Sequence, residues 1–360
     1  MRHTTFKSIA FLLILLIAGC KNIGSENTVK IDSPKNIILL IGDGMGVAQL
    51  YAGMTVYGQQ FNLEKFPYSG FSKTYSADNY ITDSAAGGTA IATGEKTNNG
   101  MIGVRPDGTP ISSITETAHN NGLAAGVVST CYVTHATPAS FVAHNGGRNN
   151  YEDIATDFLK GTIDVFIGGG QNHFRNRKDG EDLTLQLKEQ GFDVVYTMAD
   201  LKNSTSTKLA GLLAEDHMPK ASEGRAGLLR EMTAKAIETL SKNTNGFVLM
   251  VEGSMIDWGG HDNDFDYTVA EMIDFDDAIG AALDFAAADG QTLVVVTADH
   301  ETGGLALTSK DVASAKFSTT DHSAVMVPIF SYGPGAAGFS GIHENTFFYG
   351  EFVKLLGLNK

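Results

Sequence analysis

The sequence predicts an α/β fold: a central, largely parallel sheet with helices on both faces, a three-layer sandwich. Three observations carry that expectation. Short continuous apolar runs recur along the chain, as strands buried on both faces require. Helical patterns separate them, and strands joined through helices pair in parallel. The runs end in Gly or lead into Asp, Glu and His, at the sheet edge where such folds bind ligands. With 360 residues, 42% hydrophobic and 19% charged, the composition is that of a globular protein long enough to bury a large core.

The chain opens on a targeting segment. Arg2 and Lys7 precede an apolar run over residues 9–17, which is too short to span a bilayer and suits a secretory signal. The run closes in Ile17-Ala18-Gly19-Cys20. That ending resembles a bacterial lipobox, which implies cleavage before Cys20 and a lipid on its sulfur; a plain signal cut near Ala18 is the alternative. Residues 1–19 are thus read as leader, 20–33 as a flexible tether and 34–360 as the catalytic domain. The protein is expected to be exported and lipid-anchored, on the periplasmic or cell-surface side of a bacterial membrane. One further cysteine, Cys131, remains, so a lipidated Cys20 leaves no disulfide. Cys131 is expected to be a small buried apolar residue.

Residues 36–41 are read as the first strand, closed by Gly42-Asp43-Gly44-Met45-Gly46, with Asp43 at its carboxyl end. Residues 124–129 form the next, before a loop carrying Thr134, His135 and Thr137. Residues 165–167 end in three glycines. Residues 247–251 lead into Glu252, Asp257 and His261, and residues 293–297 lead into Asp299 and His300. A further strand covers 327–331, just after His322. Helical patterns occupy 110–120, 151–159, 182–190, 222–242, 267–288 and about 345–356. Residues 171–221 hold one of these helices, a short strand at 194–196 and a Ser/Thr turn, and are read as an elaboration on the sheet.

Between the first two strands lies Thr82-Asp83-Ser84-Ala85-Ala86-Gly87-Gly88. Asp and Ser are N-cap residues, and a helix start favours anions. Read alone, this is an ordinary capped helix. The acids and histidines elsewhere make Ser84 a candidate nucleophile. Asp257 and His261, four apart, share one face if a helical turn starts there. With Asp43, Asp299, His300 and His322 they supply enough carboxylate and imidazole for two zinc-like sites. Thr137 and Glu252, with a carboxylate such as Asp43, are hard oxygen donors that suit magnesium. Arg148 lies in a polar loop, where it is either a surface charge or a bidentate phosphate clamp.

The ordered motifs Ile41-Gly42-Asp43-Gly44-Met45-Gly46, Thr82-Asp83-Ser84-Ala85-Ala86, Ala136-Thr137-Pro138-Ala139, Val251-Glu252-Gly253-Ser254-Met255-Ile256-Asp257 with His261, and Thr297-Ala298-Asp299-His300-Glu301-Thr302-Gly303-Gly304 together resemble the alkaline phosphatases. They spread over nearly all of the chain after the leader. The resemblance implies hydrolysis of phosphate monoesters through a phosphoseryl intermediate on Ser84, with Arg148 binding phosphate. It implies one zinc on Asp257, His261 and His322, a second on Asp43, Asp299 and His300, and magnesium on Asp43, Thr137 and Glu252. His135 and Trp258 fall at substrate-side positions that vary in the family: Asp or His at the first, sometimes Lys or His at the second. A homodimer is common in that family, though no interface is legible here.

The net charge of −15 argues against nucleic acid as a partner. It does not oppose an anionic substrate, because bound divalent ions dominate the local field. Related phosphodiesterases, phosphonate hydrolases and phosphomutases would share many of these acids and histidines; Thr137, Glu252 and Arg148 favour the monoesterases. A sulfatase is disfavoured, because Ala85, Ala86 and Gly87 follow Ser84 where a Pro and an Arg would be needed. A metal-stabilised binding lipoprotein without turnover is the rival from another class.

Overall fold

The computed structural model describes Met1 and residues 33–309 and 314–359. The expected leader beyond Met1, Cys20 and the tether up to residue 32 lie outside the described residues.

The strands are β1 (Asn36–Gly42), β2 (Tyr68–Lys73), β3 (Ala124–Tyr132), β4 (Val165–Gly169), β5 (Asp193–Val195), β6 (Leu209–Ala214), β7 (Phe247–Gly253), β8 (Thr292–Thr297), β9 (Glu301–Thr302), β10 (His322–Ser323), β11 (Val327–Tyr332) and β12 (Gly341–Glu344). Ten build one sheet in the order β12-β2-β11-β8-β1-β7-β3-β4-β6-β5, and β9 pairs with β10 in a small ribbon. β1 lies between β7 and β8, parallel to both. β3 is parallel to β7 and β4. β11 runs against both of its neighbours. The largely parallel sheet predicted from the sequence is therefore present.

β1 is buried along its whole length. Ile37, Leu39 and Ile41 pack on one face with Val248, Met250, Leu293 and Val295. Ile38 and Leu40 pack on the other with Leu249, Val251, Val294 and Val296. Helices 84–93 and 347–356 cover the first face through Ile91, Phe348 and Phe352. Helices 228–240 and 265–289 cover the second through Leu229, Met232, Met272 and Phe275. Each buried aliphatic side chain contributes roughly 1.5–3 kcal/mol. With both faces apolar, alternation cannot set the register. Polar ends do so instead: Asn36 Nδ2 donates to Thr292 Oγ1 at 3.0 Å, and the Phe247 amide donates to Asn36 Oδ1 at 3.2 Å.

The expected helices are present, with boundaries shifted by their caps, while Val47–Tyr57, Gln171–Arg175 and Met198–Asn203 are helices the sequence pattern did not show. The helix sought over 110–120 starts at Ile114, because Ser113 and Glu116 form a capping box. The one sought over 222–242 covers Leu228–Leu240, since Gly224 and Gly227 at positive φ interrupt its start. The one sought over 267–288 runs Phe265–Asp289, capped by Asp264. Within residues 171–221, β5 and β6 extend the main sheet at one edge; β6 was not anticipated.

Candidate active site

The first loop after β1 carries Asp43. Gly44 behind it has φ of 73°, and a Cβ there would stand 2.7 Å from the Asp257 Cα. Only glycine lets this loop close on the start of helix Ile256–His261. Asp299 and His300 follow β8. Ser84 is the first residue of helix Ser84–Thr93, every residue of which is buried.

These residues converge. His300 Nε2 is 3.2 Å from Ser84 Oγ, 3.4 Å from Asp43 Oδ1 and 3.3 Å from Asp299 Oδ2. Beside them, Asp257 Oδ1 is 3.4 Å from His261 Nε2 and 3.5 Å from His322 Nε2, and the two imidazole nitrogens are 3.2 Å apart. The His300 and His322 rings stack at 3.5 Å, so the two groups adjoin. The ring orientations follow from the outer contacts. A carbonyl only accepts, so His261 Nδ1 donates to Thr320 O at 2.6 Å and His322 Nδ1 donates to Thr82 O at 2.8 Å. With Nδ1 so occupied, both rings direct Nε2 toward Asp257, the orientation that metal-ligating histidines adopt when their other nitrogen bonds a carbonyl.

The electrostatics point the same way. Burial, then the neighbouring Asp299, Asp257 and Glu252 carboxylates, pushes Asp43 well above the usual carboxylate range. Burial raises Asp299 to about 8 and Glu252 to about 7. His300 is pushed well below the ordinary imidazole value by burial and then by His322. His261 is raised to about 9, mainly by its hydrogen bond with Asp257. Both oxygens of Asp43, Asp299 Oδ2, Glu252 Oε1 and Thr137 Oγ1 are buried without a hydrogen-bond partner. Such acceptors are costly to bury unless a cation meets them. The trios Asp43–Asp299–His300, Asp257–His300–His322 and Cys131–His135–Glu252 each bring one ligand atom per residue within 4.8 Å of one another. The donor set thus fits divalent metals.

The chain matches the alkaline phosphatase family model over residues 34–319. It belongs to the alkaline phosphatase family. Alkaline phosphatase 4 of Bacillus subtilis is 34% identical over 87% of this chain and 86% of its own. The alkaline phosphatase of the Antarctic bacterium TAB5 superposes with a TM-score of 0.89 at 43% identity, over 92% of this chain and all of the other. A histidine-to-aspartate variant of the TAB5 enzyme, 42% identical over the same spans with a TM-score of 0.89, was solved with magnesium in its M3 site. This alkaline phosphatase is accordingly an enzyme that hydrolyses phosphate monoesters, in a family that binds metals.

Asp43 and Thr137 face Glu252, as the sequence grouping expected. The same corner holds two residues the grouping left out. Cys131 is buried, but it is more than an apolar filler: its thiol donates to Glu252 Oε2 at 3.3 Å, and burial pushes its pKa well up. His135, expected on the substrate side, lies within ligand distance of Glu252; burial, then Arg148 and His217, lowers it to about 3. Trp258 stands 6.2 Å from the His135 ring.

Arg148 is placed by Asp83. Its Nη1 donates to Asp83 Oδ2 at 2.9 Å, while Asp83 Oδ1 accepts the Ala86 amide at 2.9 Å as the helix cap. Sequence reading gave Asp83 the cap alone; a carboxylate that caps with one oxygen has a second to pair. Thr302 was also missed. Its hydroxyl donates to Asp257 Oδ1 and stands 3.2 Å from His300 Nδ1, linking the two groups from behind.

Proposed function

We propose that the chain transfers the phosphoryl group of a monoester to Ser84 and then to water, with two zinc ions and one magnesium in the clustered acids and histidines. The observation that carries this reading is Ser84 Oγ at a helix start, 3.2 Å from His300 Nε2, which itself stands 3.4 Å from Asp43 Oδ1 and 3.3 Å from Asp299 Oδ2, buried carboxylate oxygens without a hydrogen-bond partner. Asp257, His261 and His322 would hold one zinc, Asp43, Asp299 and His300 the other. Asp43, Thr137 and Glu252 would hold magnesium, with His135 and Cys131 adjoining that site. Imidazole with carboxylate suits zinc, and hard oxygens suit magnesium. When bound, the ions supply Lewis-acid stabilisation of the attacking and leaving oxygens.

The chain's own groups do the rest. Arg148, fixed by Asp83, binds two phosphoryl oxygens through its planar fork. The free amides at the start of helix Ser84–Thr93 meet negative charge as it develops on phosphorus. Ser84 Oγ forms the new P–O bond as the ester P–O bond breaks and the alcohol departs with a proton. Water then attacks phosphorus, inorganic phosphate leaves and the serine hydroxyl is restored. A fully metallated protein that releases no p-nitrophenol from p-nitrophenyl phosphate at alkaline pH would refute this reading.

Trp258 follows Asp257 directly, and an indole brings no positive charge to bound phosphate. Inorganic phosphate is therefore expected to inhibit the native enzyme more weakly than a Trp258→Lys variant. Equal inhibition constants would contradict that role for Trp258.

Among the described residues, no helix is long and apolar enough to cross a membrane. The Ile17-Ala18-Gly19-Cys20 ending supports export and anchoring through a lipid on Cys20. A Cys20→Ser variant should lose incorporated fatty acid and leave the membrane fraction. A variant that stays membrane-bound would overturn the anchor.

A further inference from the structure

Six rings form an array, and four of them, Tyr132, Tyr151, His173 and His217, have no part in the phosphoryl chemistry. Trp258 meets His217 edge-on, with centroids 4.5 Å apart. His217 stacks on Tyr132 at 3.4 Å, and the Tyr132 amide donates to His217 Nδ1 at 3.2 Å. Tyr132 in turn meets Tyr151 at 5.4 Å and His173 at 4.6 Å, and those two rings stack at 4.9 Å. His135 lies within the array, 5.8 Å from His217. One end thus adjoins Asp257. The other lines a pocket of about 360 Å³ formed by Asn149, Tyr151, Glu152, Asp153, His173 and Lys178. Asn149 follows Arg148 in the chain.

We infer that this array and pocket are the leaving-group subsite, and that they take a nucleoside, so that nucleoside monophosphates are the preferred substrates. This rests on the phosphomonoesterase reading above. The pocket has the size of a small-molecule site. Flat ring faces stack on a nucleobase whatever its identity. The rim of Asn, Glu, Asp and Lys offers hydrogen-bond donors and acceptors to a base and a ribose, which a plain aryl group would leave unused. Burial lowers His217 to about 4 and also lowers His173, so both rings are neutral at working pH and present apolar faces. His173 and His217 come from the elaboration at 171–221, which gives that segment a role at the site.

The test compares kcat/KM for adenosine monophosphate, phenyl phosphate and glycerol phosphate in the metallated enzyme and in Tyr151→Leu and Tyr151→Phe. Loss of one stacking face should lower the ratio of adenosine monophosphate to glycerol phosphate by about tenfold in Tyr151→Leu. Tyr151→Phe, which keeps the ring, should retain the native ratio. An equal change for both esters in Tyr151→Leu would overturn the subsite, with monoester hydrolysis intact. A native enzyme that prefers phenyl phosphate to adenosine monophosphate would overturn the nucleoside assignment. Trp258 is the single tryptophan, so its fluorescence reports binding without turnover. Adenosine should quench it in native protein at concentrations where glycerol has no effect. Absence of quenching would count against the subsite even if every ester is hydrolysed, whereas failure to hydrolyse any ester would strike the underlying activity.

Discussion

Ser84→Ala should lower kcat/KM for p-nitrophenyl phosphate by at least about a thousandfold while leaving the fold and the metal content intact. The hydroxyl is nearly fully buried, and its contact at 3.2 Å is to His300 Nε2. It makes no cap: Asp83 accepts the Ala86 amide and starts the helix. Alanine is also the best helix former. The variant therefore removes the attacking oxygen without disturbing the backbone. Residual rate would come from phosphate binding at Arg148 and the helix amides, as in other enzymes stripped of a nucleophile. A melting temperature equal to that of native protein, with activity lost, is the expected pair of results. Activity within tenfold of native would remove Ser84 from the reaction.

Chelation should abolish turnover and lower the melting temperature by roughly 10 °C, the second large effect. A ligand held at a thousand times its dissociation constant stabilises by about 4 kcal/mol per site. The loss should depend on pH, and its sign follows from the buried acids. Asp299 is raised from 3.8 to about 8 and Glu252 from 4.5 to about 7 in the metal-free fold. A raised folded pKa means the folded state holds protons that the unfolded chain has released. That stability is fully present below the unfolded values and is lost as pH rises through about 7 and 8. Metal-free protein is thus weakest at alkaline pH, where metal affinity is greatest. The melting temperature should fall further on chelation above pH 8 than near pH 5, and zinc with magnesium should restore it. A fall that is the same at both pH values would contradict the role assigned to these acids.

Much of the fold was legible because the central strands advertise themselves. β1, β7 and β8 are unbroken apolar runs, since both sheet faces are covered. The strands toward the two ends of the sheet carry no such signal. β2 reads Tyr-Ser-Gly-Phe-Ser-Lys, with mostly exposed residues. β12 is four residues of mixed character. β6 reads Leu-Ala-Gly-Leu-Leu-Ala, a composition that serves a helix as well as a strand. Asp43, Glu252, Asp299 and His300 were visible because they stand at the carboxyl ends of strands at one sheet edge. Cys131, Thr302 and the second role of Asp83 were not, because each acts through a contact distant in sequence. His217 and His173 were hidden for another reason. The elaboration carrying them returns to Tyr132, and no periodicity records that return.

The central claim is that Ser84 accepts the phosphoryl group, and trapping the intermediate tests it most directly. Metallated enzyme would be mixed with a phosphate monoester, quenched in acid, digested, and its peptides mapped by mass spectrometry. One phosphate on Ser84, absent from Ser84→Ala and from chelated enzyme, is the predicted result. Vigorous turnover with no phosphopeptide, or with the phosphate on another residue, would contradict the account.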